Sequence, residues 1–362
     1  MNSLLTIKSF YDYLTRWQKF EINMKKVDVC IIGAGPVGIH AAFQAGILGM
    51  TSCVVDSLSF VGGQCNALYP EKPIFDIPGF SKIFAQDLID KLVEQSAKFN
   101  PDYILNHKAV NLMGNSDIGF EVEVVENDTN ISSKITAKAV VLACGSGFFG
   151  PKKPPLDGIE SFENKSVFYF VDKISNFAGK NILIAGGGDS AVDWALSLAK
   201  EAKSLAIVHR RANFRCLPES ERELNELVKI GKIKLLTPYQ LSGLNGSNGL
   251  LSSVVLENIE TEEKISHECD CLLPFFGLNA DIGNIEKWGI NVEKKLALVN
   301  KNTYQTNVSG VYAVGDIASY EGKLKLIMLG FAESAIAMHD AYKIVFKKSP
   351  HFQHSSSLAG NF

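Results

Sequence analysis

Two kinds of hydrophobic pattern alternate along this chain. Short, nearly continuous apolar runs occur at residues 27–32, 52–55, 139–144, 181–185, 204–208 and 311–314. Runs of this length and continuity predict strands buried on both faces of a parallel sheet. Between them, residues 36–48, 86–98 and 331–346 repeat their apolar positions with helical period, and 219–230 predicts a charged, exposed helix. A third pattern is strict alternation. At 104–110, 120–126 and 131–137 it predicts a small antiparallel layer, with the turn at Asn127-Asp128 and Asn130. Residues 232–236, 251–256 and 264–273 predict further sheet layers separated by Asn/Gly/Ser turns. In the last of these, Cys269 and Cys271 alternate around Asp270, which predicts two thiols on one face, suited to packing rather than to a metal. The sum is an α/β chain.

Two strand-to-helix junctions carry glycine fingerprints. The first is Gly33-Ala34-Gly35-Pro36-Val37-Gly38, and its next strand ends in Asp56, where an acid can accept a ribose hydroxyl. Gly33 permits the turn, Gly35 lets backbone approach a pyrophosphate, and Gly38 lets the helix pack on the strand. The loop after Asp56, with Gly62-Gly63-Gln64, Cys65 and Tyr69, is suited to lining the ring of that cofactor. The second fingerprint is Gly186-Gly187-Gly188-Asp189-Ser190-Ala191. Here the following strand ends in His209-Arg210-Arg211, with Arg215 close behind. Guanidinium groups pair with phosphate, so this site predicts a 2′-phosphate, NADP rather than NAD. A late strand ends in Gly315-Asp316, whose carboxylate can bind a polyol.

Composition narrows the class. The chain has 362 residues, 46% hydrophobic and 21% charged, with net charge −3, which excludes a global field that would recruit nucleic acid or an anionic membrane. No apolar stretch is long enough to span a bilayer. Seven scattered cysteines indicate reduced thiols and a cytoplasmic setting. The Gly/Pro-rich stretch 145–155 and residues 274–280 predict domain boundaries. Residues 1–24, rich in Phe, Tyr and Trp, predict an N-terminal extension, with Met24 a natural start just before the first strand.

Two fingerprints and a late Val-Gly-Asp strand resemble the layout of two-dinucleotide flavoprotein reductases with the thioredoxin reductase fold: two Rossmann-like, three-layer domains, the FAD domain discontinuous. That family carries Cys-x-x-Cys a little before its second fingerprint. No cysteine lies between Cys144 and Cys216 here, which opposes dithiol chemistry. Gly62-Gly63-Gln64 with Ala67-Leu68-Tyr69-Pro70-Glu71-Lys72, then Tyr169-Phe170-Val171-Asp172, the run 186–196 and Tyr320-Glu321-Gly322-Lys323 resemble the ferredoxin (or flavodoxin)–NADP reductases of thioredoxin-reductase-like type. The resemblance implies an extension at 1–24, an FAD domain at 25–147 and 278–345, an NADP domain at 148–277, and a tail at 346–362 over the flavin. It implies that Asp56, Gln64, Val110, Phe149 and Asp316 contact FAD, that Tyr69 and His354 cover opposite faces of the flavin with Ser357 near the ring, and that the tail reaches a partner's flavin in a homodimer.

The implied reaction moves electrons between NADPH, by hydride, and the one-electron carriers ferredoxin or flavodoxin. Residues Lys72, Lys82, Lys152, Lys153, Lys323 and Lys325 are candidates to dock an acidic carrier. Three alternatives remain open on sequence: an NAD(P)H oxidase using Cys65, a disulfide reductase, and a non-catalytic flavin-binding scaffold.

Overall fold

The structure is a computed structural model describing residues 25–350 except 284, without the side chains of residues 148, 149 and 278–281. The N-terminal extension and the tail bearing His354 and Ser357 lie outside the described residues. The chain forms two compact units. Of the described residues, 25–66, 73–148 and 281–350 make the first, and Ala67–Lys72 with Phe149–Ala280 the second.

In the first unit, strand β1 (Lys25–Ile32) leads into helix α1 (Pro36–Ile47) and strand β2 (Ser52–Val55), then the short helix α2 (Gln64–Leu68) and helix α3 (Ala85–Ala97). Strands β3 (Asp102–Ile104), β4 (His107–Asn115), β5 (Gly119–Glu126) and β6 (Ser132–Leu142) follow. They join one sheet in the order β3-β2-β1-β6-β5-β4. Sequence alternation places one strand at 104–110. In fact Asn106, at φ 60°, turns the chain between β3 and β4 and sends the two to opposite edges. Conversely, 131–137 and the buried run after it are one strand, β6. Its first half pairs antiparallel with β5 through Ala137, and residues 135–142 pair parallel with β1.

In the second unit, β7 (Asn181–Ala185), helix α4 (Asp189–Leu198), β8 (Ser204–Val208), helix α5 (Pro218–Lys229), β9 (Lys234–Leu236) and, later, Cys271–Pro274 build a parallel sheet. Strand alternation sorts its side chains between two clusters. Ile182, Ile184, Leu205 and Ile207 pack with Val192, Leu198 and Leu224 of the two helices. Leu183, Ala185, Ala206 and Val208 pack with Val254 and Leu256. Those last two belong to an antiparallel layer of β10 (Tyr239–Ser247), β11 (Leu250–Asn258) and β12 (Lys264–Glu268). The unit is three-layered. Strand β10, rich in Ser, Gly and Asn, is invisible to an apolar pattern. The expected single strand 264–273 is broken at Asp270, whose carboxylate accepts the Asn181 backbone N–H at 2.8 Å. Cys269 therefore packs in one cluster and Cys271, in strand β13 (Cys271–Pro274), in the other, so the thiols do not share a face.

The chain then returns to the first unit with β14 (Val311–Ala313), parallel to β6, and helix α6 (Ile327–Phe346), which contacts α1. The helix starts one turn earlier than its apolar repeat predicts. His40 on α1 is clasped between the helices: its Nδ1 lies 2.7 Å from Ser334 Oγ and its Nε2 3.3 Å from Gln44. The Ser334 hydroxyl donates to the Phe331 carbonyl at 2.9 Å, so Nδ1–H is the donor to Ser334. Burial lowers the His40 pKa from 6.5 to about 4.

The unfolded chain thus binds a proton at His40 before the native one does. Its contribution is complete above pH 6.5 and is lost as pH falls toward about 4. Urea titrations across this range should show a pH-dependent loss of up to about 3 kcal/mol in the wild type that is absent from His40→Gln. Parallel curves for the two proteins would refute it.

Candidate functional site

The first fingerprint joins β1 to α1 by very close packing. Gly33 sits at φ 113°, and a Cβ there would lie 2.4 Å from the Ala143 carbonyl oxygen. On Gly38 a Cβ would meet the Gly33 carbonyl. The N-terminus of α1 is therefore pressed against the carboxyl ends of β1 and β6. Gly35 is its N-cap and makes no side-chain capping bond, so first-turn N–H groups stay available. A Cβ on Gly35 would meet nothing within 4 Å, and Gly63 packs so closely that its own would lie 3.0 Å from Gly35 Cα. This is a backbone-lined cradle of the kind a diphosphate fits.

Other predicted residues converge on it. Asp56 Oδ2 accepts the Ala34 N–H at 2.6 Å and Oδ1 the Leu58 N–H at 2.8 Å. Burial raises its pKa, against the opposing pull of backbone N–H donors from Leu58, Ala34 and Ser57. Each oxygen keeps a lone pair for a ribose hydroxyl. Gln64 opens α2, and a Cβ on Gly145 (φ 58°) would lie 3.8 Å from its Nε2. Gly315 packs against Val37 of α1, which brings Asp316, in the turn Gly315–Ile317, to the same sheet end. Val110 occupies the register shift of β4 between Ala109 and Asn111, a bulge that re-aims its side chain. Phe149 lies in the strand Phe148–Pro151, its side chain not described.

The segment around Tyr69 is placed differently from the chain on either side of it. Residues 67–72 group with the second unit, where Tyr69 packs on the cluster containing Val171 and Phe177. Two contacts hold this segment: Lys72 pairs with Asp193 at 2.7 Å, and Glu71 accepts the Ile174 N–H at 2.7 Å.

The second fingerprint repeats the packing device. A Cβ on Gly186 would lie 2.7 Å from the Phe275 carbonyl oxygen, and Gly188 caps α4 without a side-chain bond. Ser190 is exposed in the first turn. Asp189 accepts the Leu217 N–H at 3.2 Å, and the Arg215 N–H donates to the Gly187 carbonyl at 2.7 Å. The His209 ring lies on Gly187, where a Cβ would clash with its Nε2. Burial, then the charges of Arg210, Arg211 and Arg215, hold the His209 pKa below its usual value. Arg210, Arg211 and Arg215 are exposed beside the half-buried His209 at the glycine turn.

Several features escape sequence reasoning. The Asn66 amide donates to the Val61 carbonyl at 2.9 Å while its Oδ1 is buried without a partner among the described residues. Glu333, 1% exposed, accepts the Gly315 N–H at 2.7 Å, the Tyr320 hydroxyl at 2.6 Å and the Lys323 ammonium. Its signal is a lone acid on the apolar face of α6. It removes Lys323 from the candidate docking lysines, and Lys72 and Lys153 are likewise paired, with Asp193 and Glu163. Lys82, Lys152 and Lys325 are exposed. Among the described residues no metal cluster occurs and no helix is long and apolar enough to cross a membrane. All seven cysteines are free, and burial pushes the Cys144 thiol up to about 12.

Two dinucleotide cradles on successive α/β units define a pyridine-nucleotide-dependent oxidoreductase, and the chain belongs to the pyridine nucleotide-disulphide oxidoreductase family, matched over residues 27–338. Within it, the chain is 50% identical to ferredoxin–NADP reductase of Anaplasma marginale over 330 residues, covering 91% of this chain and 98% of that one. It is 51% identical to ferredoxin–NADP reductase of Wolbachia pipientis over 332 residues, or 92% and 97%. Its fold is similar to that of Lactococcus lactis thioredoxin reductase, with TM-score 0.74 and 25% identity over 89% of this chain and 100% of that one.

Gly35 offers a clean test of the first cradle, because its φ of −72° and open surroundings admit a methyl group. Gly35→Ala should change the stability of the apoprotein by no more than about 1 kcal/mol while lowering the FAD content of purified protein severalfold. Full FAD occupancy in this variant would show that no phosphate lies over Gly35.

Proposed function

We propose that this chain is an FAD-dependent ferredoxin–NADP reductase, which takes hydride from NADPH and delivers single electrons to ferredoxin or flavodoxin. One observation carries the reading: the two cradles end in opposite charge. Asp56 beside the first favours the hydroxylated ribose of FAD, and Arg210, Arg211 and Arg215 beside the second favour the 2′-phosphate of NADP. The similarity to two ferredoxin–NADP reductases supports the carrier.

Residues 25–147 and 278–345 form the FAD domain in this reading, and 148–277 the NADP domain. Bound FAD converts a two-electron hydride into one-electron steps. The residues of the chain bind and orient. Gly33 makes the turn, its own N–H held by the Val55 carbonyl at 2.8 Å, while Gly35 and Gly38 present backbone N–H groups to the diphosphate; by resemblance Gln64, Val110, Phe149 and Asp316 fix the rest of FAD, and Tyr69 covers one ring face. By resemblance His354 and Ser357 attend the other. Gly186, Gly188, Asp189 and Ser190 receive the NADP diphosphate, and His209 lies beside the 2′-phosphate arginines. The lack of a cysteine between Cys144 and Cys216 opposes a disulfide reductase, and the high Cys144 pKa denies it a thiolate at neutral pH. Free thiols throughout support a cytoplasmic setting.

The protein acts as a homodimer in this reading. Support comes from a groove of about 650 Å³ in the first unit, lined by Ile77, Pro78, Phe80, Leu88, Met328 and Phe331. Phe80 and Met328 are 41% and 37% exposed there, a costly arrangement for a monomer in water.

Anaerobic titration should bleach the flavin with NADPH in preference to NADH, and added ferredoxin should restore its colour. In Arg210→Ala/Arg211→Ala the NADPH preference should fall by about tenfold or more, since each charge-assisted phosphate contact is worth about 1.5–3 kcal/mol. Equal use of both nucleotides by the wild type would overturn the assignment. Light scattering should report a dimer for the wild type and a monomer for Phe80→Glu/Met328→Glu; a dimeric double variant would place self-association on another surface.

A further inference from the structure

The buried carboxylate of Glu333 has no part in any step described above, yet three donors from the single stretch 315–323 meet on it. Oε2 accepts the Gly315 backbone N–H at 2.7 Å. Oε1 accepts the Tyr320 hydroxyl at 2.6 Å and the Lys323 ammonium. Glu333 is 1% exposed and the Lys323 side chain 9%, so solvent replaces none of these bonds. Gly315 is at φ 73° and opens the turn that carries Asp316, while Gly330, one turn before Glu333 on α6, packs on Val37 beside it. We propose that Glu333 is a positioning residue for FAD binding: by anchoring the Gly315 amide and neutralising Lys323, it sets where the Asp316 carboxylate stands over the cradle of α1. The inference rests on the assignment of Asp316 to FAD.

The chemistry demands a carboxylate. Both oxygens must accept, and an amide has one acceptor and one donor. In Glu333→Gln, an amide oxygen turned to Gly315 leaves its NH2 facing the Lys323 ammonium. Turned the other way, the NH2 faces the Gly315 N–H. Removing the ammonium resolves the conflict, because an NH2 can then donate to the Tyr320 oxygen while the carbonyl serves Gly315. A residue that merely stabilises the fold would show no such pattern in cofactor affinity.

The test titrates apoprotein with FAD, follows quenching of flavin fluorescence, and records apoprotein melting in parallel. Glu333→Gln should raise the Kd for FAD by about tenfold or more, the scale of a lost charge-assisted hydrogen bond. Glu333→Gln/Lys323→Met should recover most of that loss. Binding of 2′,5′-ADP, which probes the other unit, should stay unchanged and certify a folded chain. Asp316→Ala is the control on the underlying assignment. If it leaves the Kd unaltered, Asp316 does not contact FAD and the inference falls with that assignment. If Asp316→Ala weakens binding but Glu333→Gln does not, the assignment stands and Glu333 is overturned as its positioning residue. A double variant no better than Glu333→Gln would also overturn it.

Discussion

The whole molecule depends on how closely a helix can approach the strand that precedes it. At Gly33 and Gly38 the approach leaves no room for a side chain: a Cβ on either would lie inside a backbone carbonyl. That contact presses the N-terminus of α1 against the ends of β1 and β6, which gathers Asp56, Gln64 and the Gly315 turn at the same sheet end. Gly186, hard against the Phe275 carbonyl, repeats the device in the second unit. Two instances of one steric constraint therefore fix two nucleotide cradles. What differs between them is the charge placed after the next strand.

Much of this was legible because backbone chemistry leaves a compact mark on sequence. Glycines at fixed spacing, followed by a buried strand ending in Asp56 or in Arg210-Arg211, need no tertiary knowledge to interpret. The helices were equally plain from their period, to within about a turn. Strands fared worse where pairing rather than composition defines them. Strand β10 is polar and glycine-rich and exists because β11 pairs with it. Strand β6 reads as two segments because its neighbours change partway along, from β5 to β14 on one side. The break at Asp270 has no local signature, because a side chain bonded to Asn181, 89 residues away, is what ends the strand.

The polar network around Glu333 belongs to the same illegible class. The only local mark of Glu333 is its place on the apolar face of α6, and nothing local distinguishes Lys323 from a docking lysine; their burial against each other does. Val110 and Phe149 are named by resemblance alone, where residue chemistry is silent. At Val110 the structure shows a register shift between Ala109 and Asn111, where a side chain can leave the sheet's regular alternation.

The six residues Ala67–Lys72 alter what counts as a module in this protein. The second unit is not encoded by one continuous stretch, because it borrows this piece from within the sequence of the first. A graft that moved only 149–280 into a relative would leave behind the partners of Asp193 and of the Ile174 amide, and uncover the core beneath Tyr69. Exchange of nucleotide-binding units by recombination is therefore constrained at two separated places in the sequence, and a compatible recipient must already carry a matching Tyr69–Lys72 segment.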